Sequence, residues 1–194
     1  WYEENENYYQ ALLYYYKIKK YDDIYYMNLS LDDMMPHLIK DNKKMFIQII
    51  SNTSLEAKEQ NIRRSVIFSF MLFIYNEKDF FNKECEMIKE MIELSKYLRQ
   101  REKEILMGEI IFINSFLEYN DLSKMYKKYE ESYKYMQSPS SVYSQKFSII
   151  FSNPSVLGCF HSRCGEALIE LDNFEKTLIY YYKITSGNSK GLEA

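Results

Sequence analysis

The sequence predicts an all-α protein, a solenoid of antiparallel helix pairs, and three observations carry that prediction. Apolar residues recur at helical spacing over long stretches, while convincing strand alternation is absent. Five Gly and three Pro in 194 residues are too few for the many tight turns of a sandwich or barrel. A turn followed at once by a helix start recurs along the chain.

Taken in order, residues 1–24 read as helical, with Ala11, Tyr15 and Ile18 on one face at i, i+4 and i+7. The polar run at 4–7 interrupts that face and suggests two helices joined by a short turn. Ser30 and Asp32 precede Met34, Met35 and Pro36, and Pro36 suits the first turn of a helix. Residues 62–75 are apolar nearly all round, as expected of a helix packed on both sides. The next helix, 80–98, sets Met87, Met91, Leu94 and Leu98 along one stripe. Helices at 102–117 and 122–136 follow.

Comparing the chain with itself turns this series into a repeat. Residues 7–18 align with 173–184 at seven identical positions of twelve, and weaker copies begin at Asp41, Asn76 and Tyr119. Taking Tyr8, Met45, Phe80, Leu122 and Phe174 as equivalent gives steps of 37, 35, 42 and 52 residues. Tetratricopeptide-like pairs repeat every ~34 residues, lengthening where loops are inserted. One pair cannot bury its apolar face alone, so neighbours must stack. The expectation is therefore a single tetratricopeptide-like domain over 1–194, with an inserted loop at 137–154. The alternative is a non-repetitive bundle of Tyr-rich helices. Phe147, Ile149, Ile150 and Phe151 suggest that the insert packs onto the helices.

Composition narrows the function classes. Hydrophobic residues make up 46% and charged ones 27%, ordinary values for a soluble globular protein. A net charge of −3 argues against this segment gripping DNA by itself. No run of 18 apolar residues is present to span a bilayer, and no signal peptide is visible. Three Cys at irregular spacing do not make a disulfide framework, and a cytoplasmic, reducing location fits.

Little in the sequence spells out a reaction. Cys159, His161 and Cys164 invite a zinc ion, but on a helix Cys159 and His161 take different faces and no fourth ligand is near. The acidic neighbours Glu3 and Glu4, Asp22 and Asp23, and Glu130 and Glu131 point apart on a helix and read as solvated surface. No phosphate-cradling glycine loop is present. His37 stands alone. No catalytic residue and no metal ligand is assigned, and the expectation is a non-enzyme with no cofactor of its own. The runs Tyr14, Tyr15, Tyr16 and Tyr180, Tyr181, Tyr182 cannot all face a core, so some must meet a neighbouring helix or solvent.

Three blocks carry a family resemblance. The first holds Trp1, Tyr2, Glu3, Glu4 and Asn5, then Tyr8, Ala11, Tyr14, Tyr15, Tyr16, Lys17 and Lys19. The second holds Phe151, Asn153, Pro154, Ser155, Val156, Leu157, Phe160, His161 and Gly165. The third holds Tyr180, Tyr181, Tyr182, Lys183, Thr185, Gly187, Gly191 and Glu193. Together they resemble the helical-repeat region of large LuxR-type, MalT-like ATP-dependent transcriptional regulators. The chain departs from that pattern at Ser162 and Arg163, and at Asn188 and Ser189. The resemblance implies a fragment of a larger protein, between an upstream ATP-binding switch and a downstream helix-turn-helix that contacts DNA. It implies a region that senses an effector or partner and governs self-association of the full-length protein. The alternative is an interaction scaffold with no small-molecule site.

If an effector or partner binds here, the expected contacts are Ser152, Asn153, Ser155, His161, Arg163, Tyr181 and Asn188. The longest insert runs into the second block, and a glycine-containing segment follows it about twenty residues on. A helix start at Ser155 offers free backbone N–H groups, and Arg163 adds charge for an anion.

Overall fold

The computed structural model describes residues 2–3, 7–37, 42–118, 121–140, 142 and 167–184. These are mostly helical, and no strand occurs among them. The chain divides into two compact units, Trp1–Arg99 and Gln100–Ala194. Among the described residues, no helix is long and apolar enough to cross a membrane.

The first unit carries α1 (Tyr8–Lys17), α2 (Tyr21–Tyr26), α3 (Leu31–Met34), α4 (Lys43–Asn52), α5 (Leu55–Gln60), α6 (Ile62–Ile74) and α7 (Lys78–Leu94). Short polar residues cap three of these helices, α1, α3 and α5. Asn7 accepts from the Gln10 N–H at 3.4 Å, and Ser54 accepts from the Ala57 N–H at 3.1 Å. Ser30 and Asp33 form a reciprocal box: the Asp33 N–H donates to Ser30 Oγ, and the Ser30 N–H donates to Asp33 Oδ2. That box starts α3 at Leu31, so Pro36 falls in the 3-10 turn Met35–His37 after the helix rather than in a first turn.

Helix ends explain how the chain manages with few glycines. Lys19 (φ 58°) closes α1, with the Lys19 N–H bonded to Tyr16 O and the Lys20 N–H to Tyr15 O. Asn76 (φ 60°) closes α6 the same way, its N–H bonding Phe73 O and the Glu77 N–H bonding Leu72 O. Both are paired-bond terminations that usually take glycine at the left-handed residue. Here a Lys and an Asn carry it.

The first helices stack like on like. Asn42 Nδ2, at the start of α4, donates to Tyr9 OH of α1 at 2.8 Å, and Tyr16 OH donates to Gln48 Oε1. On the next pair, the Ser54 N–H donates to Asp22 Oδ1 at 2.7 Å, and Tyr26 OH donates to Gln60 Oε1 at 2.9 Å. Early meets early and late meets late, so α1 runs parallel to α4 and α2 parallel to α5. The four bonds join residues 33, 32, 32 and 34 positions apart.

Aromatic rings fill the core of this unit. Tyr25 stacks on Phe68 at 4.9 Å, Phe46 reaches both Phe68 and Tyr75, and Phe73 meets Phe81 at 5.8 Å. Nine residues of α6 are buried, as its all-round apolar sequence predicts. The stripe of α7 is displaced from the expected one. Phe81, Glu84, Cys85, Ile88, Met91 and Ile92 are buried, whereas Leu94 is 79% exposed and Leu98 lies beyond the helix. Ile18 is likewise 45% exposed, and α1 buries Ala11 and Leu12 instead. In both helices the buried face turns with the 3.6-residue period, and these expected positions sat at or past a helix end.

The second unit carries α8 (Gln100–Ser115), α9 (Leu122–Met136) and α10 (Ala167–Ile184). The first two are antiparallel. Arg101 Nη1 donates to Tyr135 O at 2.8 Å, Ser132 Oγ to Gly108 O at 2.8 Å, and Lys128 Nζ to Asn114 Oδ1 at 2.8 Å. Gly108 makes this approach close: a Cβ there would lie 2.9 Å from Ser132 O and would strike Met136. Helix α10 runs alongside α9 in the same direction. Tyr180 packs between Tyr126 and Tyr133, Lys183 lies over the Tyr133 ring, and the Ser140 N–H reaches Ile184 O. The expected helix start at Asn173 is corrected: that residue lies inside α10, which begins two turns earlier. A Lys176–Asp172 pair at i, i+4 spans the place where a turn was expected.

Candidate functional site

Most residues expected to bind an effector fall outside the described ones: Ser152, Asn153, Ser155, His161, Arg163 and Asn188, together with Cys159 and Cys164. Tyr181 lies on α10, with its side chain outside the description. The described flanks are informative. The stretch holding positions 152–163 follows Val142, and the one holding 188 follows Ile184. The Ser140 N–H donates to Ile184 O at 2.7 Å, so the flanks of the two stretches meet.

A buried carboxylate stands beneath that meeting point. Glu109 of α8 is 0% exposed and accepts from Ser140 Oγ at 2.5 Å and from the Val142 N–H at 3.3 Å. The Val142 N–H also reaches Ser140 Oγ at 3.2 Å. Helix α9 is finished off just before. Gln137 takes a left-handed φ of 48°, its N–H bonds Tyr133 O, and Arg101 covers the carbonyls of Tyr135 and Met136. Gly108 and Glu109 are neighbours on α8. Gly108 faces α9 at Ser132 and Met136, while Glu109 meets the chain that leaves α9.

The outer face of α9 and α10 is tyrosine-rich. Tyr180 OH donates to Glu130 Oε1 at 3.5 Å, and Lys183 Nζ lies 5.0 Å from the Tyr180 ring centre and 5.3 Å from that of Tyr133. Burial, then nearby Glu130, raises the Tyr180 phenol above its ordinary value.

Two further clusters occupy the first unit. His37 stacks flat on Tyr9, with ring centres 3.5 Å apart, and its carbonyl accepts from Asn42 Nδ2 at 2.6 Å. Burial raises the Tyr9 phenol, against the lowering effect of the Asn42 hydrogen bond. Deeper, Lys58 Nζ holds both oxygens of Glu84 at 3.2 and 3.0 Å, a pair with side chains only 6% and 8% exposed. Burial pushes the Glu84 carboxyl up, and Lys58 pulls it back. Beside it, burial pushes the Cys85 thiol to about 12, so it stays protonated and unreactive.

These groups are missed by reading for motifs, yet a simpler signal marks two of them. Glu84 and Glu109 both sit on apolar stripes, Glu84 with Phe81 and Ile88, Glu109 with Phe112 and Ile113. An acid at such a position must be paired or hydrogen-bonded. Asp22 and Glu130, expected as solvated surface, are not buried and also accept bonds from neighbouring elements. His37, left without a role, is a stacking partner. Among the described residues, no group of three or more His, Cys, Asp or Glu could hold a metal ion.

No protein-family model, curated protein or solved structure matches this chain.

Proposed function

We propose that the chain is a tetratricopeptide-like helix-pair module that binds an effector or a protein partner. In that role it is the sensing and coupling region of an ATP-dependent LuxR-type transcriptional regulator. The observation that carries the repeat reading is the parallel stacking of α1 on α4 and α2 on α5 through bonds 32–34 residues apart. Such an offset is the ~34-residue period of stacked helix pairs. The regulator assignment rests on the sequence blocks around Trp1, Pro154 and Tyr180. Nucleotide and DNA would then be bound by modules on either side, and ATP would be no ligand of this chain.

The coding sequence on both sides tests the assignment. A nucleotide-binding motif upstream and a helix-turn-helix downstream are expected. A different pair of neighbours overturns the regulator reading and leaves the helix-pair module standing. A second reading, a protein-interaction scaffold, is favoured by exposed apolar side chains on the first unit: Tyr14, Ile18, Tyr26 and Leu55.

A further inference from the structure

We propose that Glu109 is a latch, a positioning residue that ties the chain leaving α9 to the end of α10 and holds both against α8. Three observations meet at this point. The carboxylate is fully buried, and both its oxygens take hydrogen bonds from the residues that follow α9: Oε2 from the Ser140 hydroxyl, Oε1 from the Val142 N–H. Ser140 is held at its other end as well, its N–H donating to the last carbonyl of α10. Val142 is 3% exposed, so its side chain is buried where the strap meets Glu109.

The chemistry explains why an acid occupies the position. A strap of irregular backbone brings N–H and O–H donors into the interior, and each needs an acceptor there. A carboxylate supplies two acceptor oxygens without a donor of its own. Charge-assisted bonds are also roughly twice as strong as neutral ones. Ser140 is the shared member of this helix–strap–helix junction: its hydroxyl meets Glu109 on α8 and its N–H meets the last carbonyl of α10, so loosening it acts on both sides at once. The latch rests on the proposed sensing role only for its use. A module that reports occupancy needs its outgoing chains fastened to its helices, and this is where the fastening is.

Hydrogen exchange on the 194-residue chain, read amide by amide, tests the latch with no effector, nucleotide or DNA present. Failure here is therefore separate from failure of the regulator assignment. Glu109→Gln keeps the shape but weakens the acceptor. Ser140→Ala removes the hydroxyl from a half-buried position and provides the test if the first variant folds poorly. In either variant, the Ser140 and Val142 amides and those of the last turn of α10 should exchange together, on the order of tenfold faster. The middle of α9 should keep its wild-type rates. Acceleration confined to Val142 would make Glu109 a local contact and overturn the latch. So would unchanged rates, or an equal rise throughout the second unit.

Discussion

The two units each bury a carboxylate on an apolar helix stripe, and the described groups that bond it differ. In the first, Glu84 meets a buried ammonium, Lys58, in a pair enclosed by regular helices. In the second, Glu109 meets a hydroxyl and a backbone N–H from a segment that is not helical. The Lys58–Glu84 pair joins residues of two helices and is all or nothing: remove one charge and the other is stranded. The Glu109 cluster fixes chain that has no secondary structure to hold it. A buried acid can thus serve helix packing in one half of a protein and loop placement in the other.

Breaking the ion pair gives the largest effect. Lys58→Met leaves Glu84 buried without its counter-charge and should cost about 3–5 kcal/mol in denaturant unfolding. Lys58→Met with Glu84→Leu should recover stability to within about 1 kcal/mol of wild type or exceed it. A double variant as unstable as the single one would show that the site needs charge for another reason. The pH dependence follows from the direction of the shift. Burial holds the folded Glu84 carboxyl above its ordinary value of 4.5, so the folded state binds that proton more tightly. Its contribution is therefore greatest below that value and declines as pH rises toward the folded one. Without Lys58 the lowering influence is gone, and the decline should extend to higher pH.

Next comes the close approach in the second unit. Gly→Ala inside a helix ordinarily stabilises by up to about 1 kcal/mol. Gly108→Ala should do the reverse and cost about 1–3 kcal/mol, because the new Cβ meets Met136 and the Ser132 carbonyl. A gain in melting temperature would contradict the packing of α8 on α9.

Much of this was legible in the sequence, and the parts that were not have physical reasons. Helix starts at Tyr8, Lys43, Lys78 and Leu122 follow from short polar or acidic residues placed before apolar runs. Residues 173–184 misled because the same Tyr-rich string can follow an N-cap in α1 and continue a helix in α10. Local identity does not fix where a helix begins. Glycine does not mark the left-handed residues Lys19, Asn76 and Gln137, which close their helices without it. The clusters of the candidate sites are tertiary. Asn42 meets Tyr9 across 33 residues and Ser140 meets Glu109 across 31, and no periodicity within one helix reveals such pairs.

Smaller effects sharpen the contrast. The Tyr25 hydroxyl is buried and finds no hydrogen-bond partner among the described residues. Tyr25→Phe should therefore be neutral or stabilising by up to about 1 kcal/mol, whereas most core changes cost stability. Cys85, with its thiol held near 12, should resist alkylation in the folded chain and become labelled only when the first unit opens. Peptide mapping separates it from Cys159 and Cys164. The exposed Lys89–Glu86 pair marks the floor: Glu86→Gln should change stability by less than about 0.5 kcal/mol.

The most direct test of the repeat arrangement is a set of nuclear Overhauser contacts between side-chain amides and tyrosine rings in solution. The stacked pairs predict cross-peaks from Asn42 to Tyr9, Gln48 to Tyr16 and Gln60 to Tyr26, all at offsets of 32–34 residues. Finding all three would place α4 along α1 in parallel and bring the end of α5 to the end of α2 at the same offset. Contacts at a different offset, or the same amides facing other helices, would contradict the repeat and with it the basis of the proposed function.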